Sequence, residues 1–199
     1  MRLGPPCLAH KMKKGITPKG KASSEKLLLS PSQVLKKLKE LAKEIIKREG
    51  TESLVLIGIK RRGDILAQRL ATIMEKMTDK KIPVGAICIT FYRDDLDLIA
   101  EAPVIRGSEI IFPLEGKTVV IVDDVIFTGR TIRAALQEIL DYGRPKKIRL
   151  AVLVDRGNRE VPIQPDYYGI KVKAKKEDIV DILLKEEDGR EGVFQRSRP

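Results

Sequence analysis

Apolar residues along the chain follow two rhythms. Val34, Leu35, Leu38, Leu41, Ala42, Ile45 and Ile46 recur at intervals of three and four, which predicts a helix with one packed face. Ser30 supplies a cap, Pro31 stands where a first turn needs no amide, and Gly50 ends the run. The opposite face is basic: Lys36, Lys37, Lys39, Lys43 and Lys47. Leu54 to Ile59 is unbroken apolar sequence, as expected of a strand covered on both faces. A helix carrying Leu66, Leu70, Ile73, Met74 and Met77 on one side follows. Further strands are predicted at Val84–Thr90, Thr118–Val122 and Ile148–Val154. A helix over Thr131–Tyr142 is expected to turn Ile132, Ala135, Leu136, Ile139 and Leu140 inward. Strands alternating with helices imply right-handed crossovers and an α/β fold with a mostly parallel central sheet flanked by helices. Beyond Asp155 the pattern changes to short β-like runs at Tyr167–Val172 and Ile179–Leu184.

Two segments stand outside this rhythm. Residues 1–26 are rich in Gly, Pro, Lys and Ser and carry no periodicity, so they are expected to form a disordered basic extension before a domain over 27–199. Phe91 to Gly116 is charged and aperiodic. A loop that long inside a compact domain is usually functional, so a lid or hood over about 91–117 is expected; a hairpin through Ile110–Phe112 is the alternative.

Composition narrows the class. With 42% hydrophobic and 34% charged residues in a chain of 199, a soluble single domain is expected, and no apolar run approaches the roughly 20 residues that span a bilayer. The first 18 residues hold Arg2, Lys11, Lys13 and Lys14 but lack the apolar core of a signal peptide. Cys7 and Cys88 are too few for a disulfide framework, and a reducing cytoplasm is the expected compartment. The net charge of +11 is lopsided: residues 1–50 hold 13 Lys/Arg against 4 Asp/Glu, and the remaining chain holds 26 against 24. Such a block suits nucleic acid, or is simply a solvated basic face.

The most informative stretch is Val119-Val120-Ile121-Val122-Asp123-Asp124-Val125-Ile126-Phe127-Thr128-Gly129-Arg130-Thr131. An apolar strand is expected to end on two carboxylates, and open α/β sheets bind ligands at the carboxyl ends of their strands. The following loop offers hydroxyls, a glycine and an arginine at a helix start, a ready anion site. Carboxylates repel phosphate, so their partners should be hydroxyls or a metal. A ribose 5-phosphate satisfies both ends: Asp123 and Asp124 on the ribose hydroxyls, Thr128 to Thr131 around the phosphate. The chain has neither G-x-x-x-x-G-K-[ST] nor G-x-G-x-x-G, which excludes a P-loop and a dinucleotide fold. His10, the only histidine, lies in the extension, which excludes Ser/His and His-metal chemistry, and no zinc spacing occurs.

These thirteen residues resemble the 5-phosphoribosyl 1-pyrophosphate (PRPP) motif of type I phosphoribosyltransferases, here Asp123, Asp124 and the phosphate loop Val125, Ile126, Phe127, Thr128, Gly129, Arg130 and Thr131. Ile57 to Gly63, Tyr92 to Asp95 and Leu153 to Ile163 narrow the likeness. Together they resemble the PyrR family, pyrimidine-operon attenuators with uracil phosphoribosyltransferase activity, over roughly Leu28 to Phe194. The resemblance implies that Lys60, Arg61, Arg62 and Gly63 contact pyrophosphate. It implies a hood whose base is Tyr92, Arg93, Asp94 and Asp95. It places uracil against Val154, Asp155, Arg156 and Gly157. It also implies magnesium, held mainly through the substrate and by Asp123 and Asp124, with UMP as product and effector. Pyrimidine-operon leader RNA would meet Lys39, Lys43, Arg48, Asn158 and Arg159, and the family assembles as dimers or larger oligomers. This chain departs from the family at Asn158, where His is usual, at Gln164 and Ile170, often basic, and at Lys173-Ala174-Lys175-Lys176, which replaces a Pro-Thr-Ser segment. A UMP sensor with negligible turnover and a transferase for another base, such as a purine, are the alternatives.

Overall fold

The computed structural model describes residues 25–89 and 107–197. The hood-base residues Tyr92, Arg93, Asp94 and Asp95 and nearly all of the N-terminal extension lie outside them. The described elements are β1 (Glu25–Leu29), α1 (Pro31–Glu49), β2 (Leu54–Lys60), α2 (Gly63–Thr78), β3 (Val84–Cys88), β4 (Thr118–Ile126), α3 (Arg130–Tyr142), β5 (Lys147–Asp155), β6 (Tyr167–Lys171), β7 (Ile179–Leu183), α4 (Lys185–Asp188) and β8 (Gly192–Arg196).

Five strands form a sheet in the order β3-β2-β4-β5-β6, every pair parallel. Period two along the central strands sorts their apolar residues into two cores. Leu54, Leu56, Val120, Val122, Ala151 and Leu153 face the layer of α1 and α2, with Leu38, Leu41, Leu66, Leu70 and Met74. Val55, Ile57, Val119, Ile121, Leu150 and Val152 face Ile132, Ala135 and Ile139 of α3, with Leu114 beneath. The mostly parallel α/β architecture expected from the alternation is the one found. Ser30 caps α1 as the sequence predicts: its Oγ accepts from the Gln33 amide and its own amide donates to Gln33 Oε1 at 2.8 Å.

Several details differ. β1 reaches back to Glu25, so Glu25 and Lys26 belong to a strand rather than to the extension. β1 pairs with β8, and β8 with β7, in a separate antiparallel sheet ordered β1-β8-β7. β4 does not stop at the acidic pair: pairing with β5 carries it on through Asp123 and Asp124 to Ile126, opposite Asp155. In place of a hairpin through Ile110–Phe112, the chain returns beside β3 by a single antiparallel bridge, Ala86 to Glu109. Leu35, Met77 and Leu140, expected inside, are 47%, 47% and 54% exposed, because each sits at the margin of an apolar stripe wider than the face its helix buries.

Candidate functional site

The carboxyl ends of β4 and β5 and the start of α3 enclose an open cavity of about 330 Å³, lined by Ile59, Asp123 to Gly129, Thr131, Ile132, Arg156 and Lys176 to Val180. Asp123 and Asp124 are 6% and 5% exposed. Each carboxylate takes the next amide in the chain: Asp124 N–H donates to Asp123 Oδ1 at 2.9 Å and Val125 N–H to Asp124 Oδ1 at 2.8 Å. Two acidic groups thus remain side by side in a buried position, which a sugar hydroxyl or a cation suits and a phosphate does not.

The phosphate loop is a tight turn built around Gly129. Its φ is +89°, and a Cβ there would stand 2.7 Å from Val161 Cγ2, so backbone conformation and space both call for glycine. Thr128 Oγ1 accepts from Arg130 N–H at 3.2 Å. Gly129, the N-cap, has no side chain to cap α3, and Gly129 and Thr131 at the helix start line the cavity. Segment 157–163 lies against this loop. Glu160 and Val161 donate backbone amides to Thr128 O at 2.9 and 3.2 Å, and Arg130 Nε meets Glu160 at 2.8 Å. Arg159 ties the segments together: its guanidinium donates to the carbonyls of Phe127 (2.9 Å), Gly157 (3.1 Å) and Ile163 (2.9 Å) and to Asp155 Oδ1 (2.6 Å).

Of the segment expected to meet the base, Asp155 is turned inward to Arg159 and to the Gly157 amide. Arg156, 8% exposed, stacks on the Phe127 ring at 3.8 Å and donates to Lys175 O at 3.0 Å. Its Nε is buried without a partner among the described residues, and burial draws its pKa below the usual guanidinium value. The far wall, Lys176 to Val180, is a part of the site that sequence reasoning missed. Asp178 there is buried, accepting from Lys175 N–H at 3.0 Å and Gln195 Nε2 at 2.8 Å. Those donors hold its carboxyl below the ordinary range. In the sequence Asp178 is one charge in a charged run, and nothing local marks it as inside.

The Lys60–Gly63 loop joins β2 to α2, with a cis Lys60–Arg61 peptide. Its glycine is required: a Cβ on Gly63 would stand 2.5 Å from Val122 O, so the start of α2 rests directly on β4 beside Asp123. Lys60 Nζ is spent on Gly107 O (3.1 Å) and Glu109 (2.7 Å). Arg62 is spent on Asp188, and Arg61 projects outward within 3.4 Å of Glu187.

Among the residues expected to meet RNA, Lys39 and Lys43 are exposed on α1. Arg48 lies over the Tyr167 ring at 4.8 Å. Asn158 has φ +56° and donates to Ala174 O at 3.0 Å. Arg159 is corrected from a surface cation to an interior one, because its side chain is 11% exposed and its donors are occupied by backbone carbonyls and Asp155.

An acidic pair at the carboxyl end of a central strand, followed by a glycine-centred turn into a helix beside a five-stranded parallel sheet, fits a phosphoribosyltransferase, and the family model described as phosphoribosyl transferase domain matches residues 26–184. The chain is 50% identical to the bifunctional protein PyrR of Pelotomaculum thermopropionicum over 83% of its length and 92% of that protein. It is 52% identical to that of Nostoc punctiforme, over 83% and 93%. A hypoxanthine-guanine phosphoribosyltransferase from Bacillus anthracis shares the fold at TM-score 0.67 and 19% identity, covering 87% of this chain and 98% of that one. The chain belongs to the PyrR family of phosphoribosyltransferases.

Proposed function

We propose that the chain transfers the phosphoribosyl group of PRPP to uracil, releasing UMP and pyrophosphate, and that it also binds pyrimidine-operon leader RNA in a UMP-responsive manner. The observation that carries the enzymatic half is the single cavity shared by the Asp123–Asp124 pair, the Thr128–Thr131 loop and the Arg156 wall. In this reading the carboxylates hold the ribose hydroxyls and the backbone at the start of α3 holds the 5-phosphate. The base lies toward Val154–Gly157, where a carbonyl entering the cavity would supply an acceptor for Arg156 Nε. The Lys60–Gly63 loop faces the pyrophosphate.

The reaction breaks the bond from ribose C1 to pyrophosphate and forms one from C1 to uracil nitrogen, whose proton is released. Because the sugar becomes cation-like, no nucleophilic side chain is required. Asp123 and Asp124 are fixed beforehand by their neighbouring amides, so their negative charge is in place as positive charge develops on the sugar. Asp123 and Asp124 would help to hold magnesium carried mainly by the substrate, and its charge would neutralise the departing pyrophosphate; among the described residues no group of three or more potential ligands occurs.

The test is UMP formation from uracil, PRPP and magnesium, with hypoxanthine and adenine in parallel and Asp124→Asn as control. Uracil-specific turnover that the variant loses supports the reading. Turnover on a purine base overturns the choice of substrate. UMP binding without turnover on any base leaves a sensor in place of an enzyme.

A further inference from the structure

The acidic run Glu186-Glu187-Asp188 of α4 meets the loop between β2 and α2 and the helix that follows it. Arg62 stands at the centre of a γ-turn. Its φ is +71° and ψ −43°, and Gly63 N–H donates back to Arg61 O at 2.9 Å. That conformation is rare for a residue with a side chain and persists where surrounding contacts enforce it. The enforcing contact is bidentate: Arg62 Nη2 to Asp188 Oδ1 at 2.8 Å and Nε to Oδ2 at 3.1 Å. The two side chains are 28% and 17% exposed. Asp188 is itself held by the Leu184 amide at 2.8 Å. About two helix turns further on, Arg69 is clasped by Glu186 and Glu191, at 2.6 and 2.7 Å. The loop and the start of α2 are therefore fastened to α4 and to Glu191 just before β8. Planar guanidinium on carboxylate fixes orientation as well as distance.

Resting on the phosphoribosyltransferase reading above, we propose that Asp188 is a positioning residue for the pyrophosphate half of the substrate. It holds Arg62, and through it the γ-turn, so that the loop presents its backbone to an anion, and Arg62 acts as a strut. A loop free to relax loses the preorganised geometry on which anion affinity depends.

Asp188→Asn keeps the size of the side chain and an acceptor for Leu184 while removing the charge. The expected result is at least a tenfold rise in KM for PRPP and at least tenfold weaker binding of magnesium pyrophosphate by calorimetry. UMP carries base, ribose and 5-phosphate but no pyrophosphate, so its Kd should stay within twofold. Arg62→Lys, which retains charge but not the fork, should give the same pattern and serves if Asp188→Asn does not fold. Variants that bind pyrophosphate as the wild type does, or that lose UMP and pyrophosphate in equal proportion, overturn the assignment. A wild-type protein that binds no pyrophosphate and forms no UMP overturns the functional reading itself; an active wild type with unaltered variants overturns only the role of Asp188.

Discussion

Two carboxylates are buried in adjacent positions, and each accepts the amide of the residue after it. Replacing Asp124 with Asn removes charge without volume. We expect kcat/KM for UMP formation to fall by about a hundredfold or more, as when one preorganised charge-stabilising group is lost. Gly129→Ala forces a methyl toward Val161 at a φ of +89°, which should cost about 1–3 kcal/mol and weaken UMP binding with it. Glu49 shows a residue whose role was invisible in the sequence. It ends α1, yet its side chain is 2% exposed and takes hydrogen bonds from the Tyr167 hydroxyl at 2.7 Å and Arg149 at 3.2 Å, with Lys147 alongside. Burial alone would raise its pKa; Lys147, Tyr167 and Arg149 outweigh that and hold it below 4.5. A depressed carboxyl stabilises the fold above its unfolded value and loses that contribution as the pH falls through its folded value. The urea-unfolding difference between wild type and Glu49→Gln should therefore be full at pH 7 and shrink progressively on acidification below pH 4.5. A difference that does not shrink as the pH falls would contradict this account.

At the scale of elements, the segment from Gly157 to Ile163 backs the loop after β4, and the turn from Val172 to Asp178 leads into the far wall of the cavity. Neither is a helix or strand, so hydrophobic periodicity is silent about both. Arg159 substitutes for regular pairing by gathering carbonyls from three strand ends and loops. Removing it takes a donor from each of those carbonyls and leaves buried Asp155 with the Gly157 amide but no cation. Arg159→Met should cost about 2–4 kcal/mol, seen as a drop in Tm of about 5–15 °C. The central strands and three long helices were legible because each buries a face through its own repeating pattern. β1 and β8 were not: they lie at opposite ends of the chain, and Glu25 to Leu29 becomes a strand because Gly192 to Arg196 pairs with it. The end of β4 was misplaced for a related reason, since the strand continues where β5 offers partners rather than where apolar residues run out.

For the whole molecule, charge is the property that bears on its second role. The excess of +9 in the first fifty residues includes Lys39 and Lys43, both exposed on α1. If leader RNA is held through them, neutralising each should lower the slope of log affinity against log salt by about 0.7. Affinity for a scrambled hairpin should stay weaker throughout. A slope unaffected by Lys39→Ala and Lys43→Ala would move the RNA surface elsewhere. Sequence alone determined the α/β class, four of the five parallel strands, and the acidic pair with the glycine turn that follows it, because apolar periodicity and a contiguous motif are local properties of the chain. Tertiary structure alone decided that Arg159 is an interior strut, that Asp178 is inside the cavity, and that Asp188 holds Arg62 from more than a hundred residues away. Burial and ion pairing depend on which distant segments meet, and a charged residue in the sequence carries no mark of whether water or a partner will receive it.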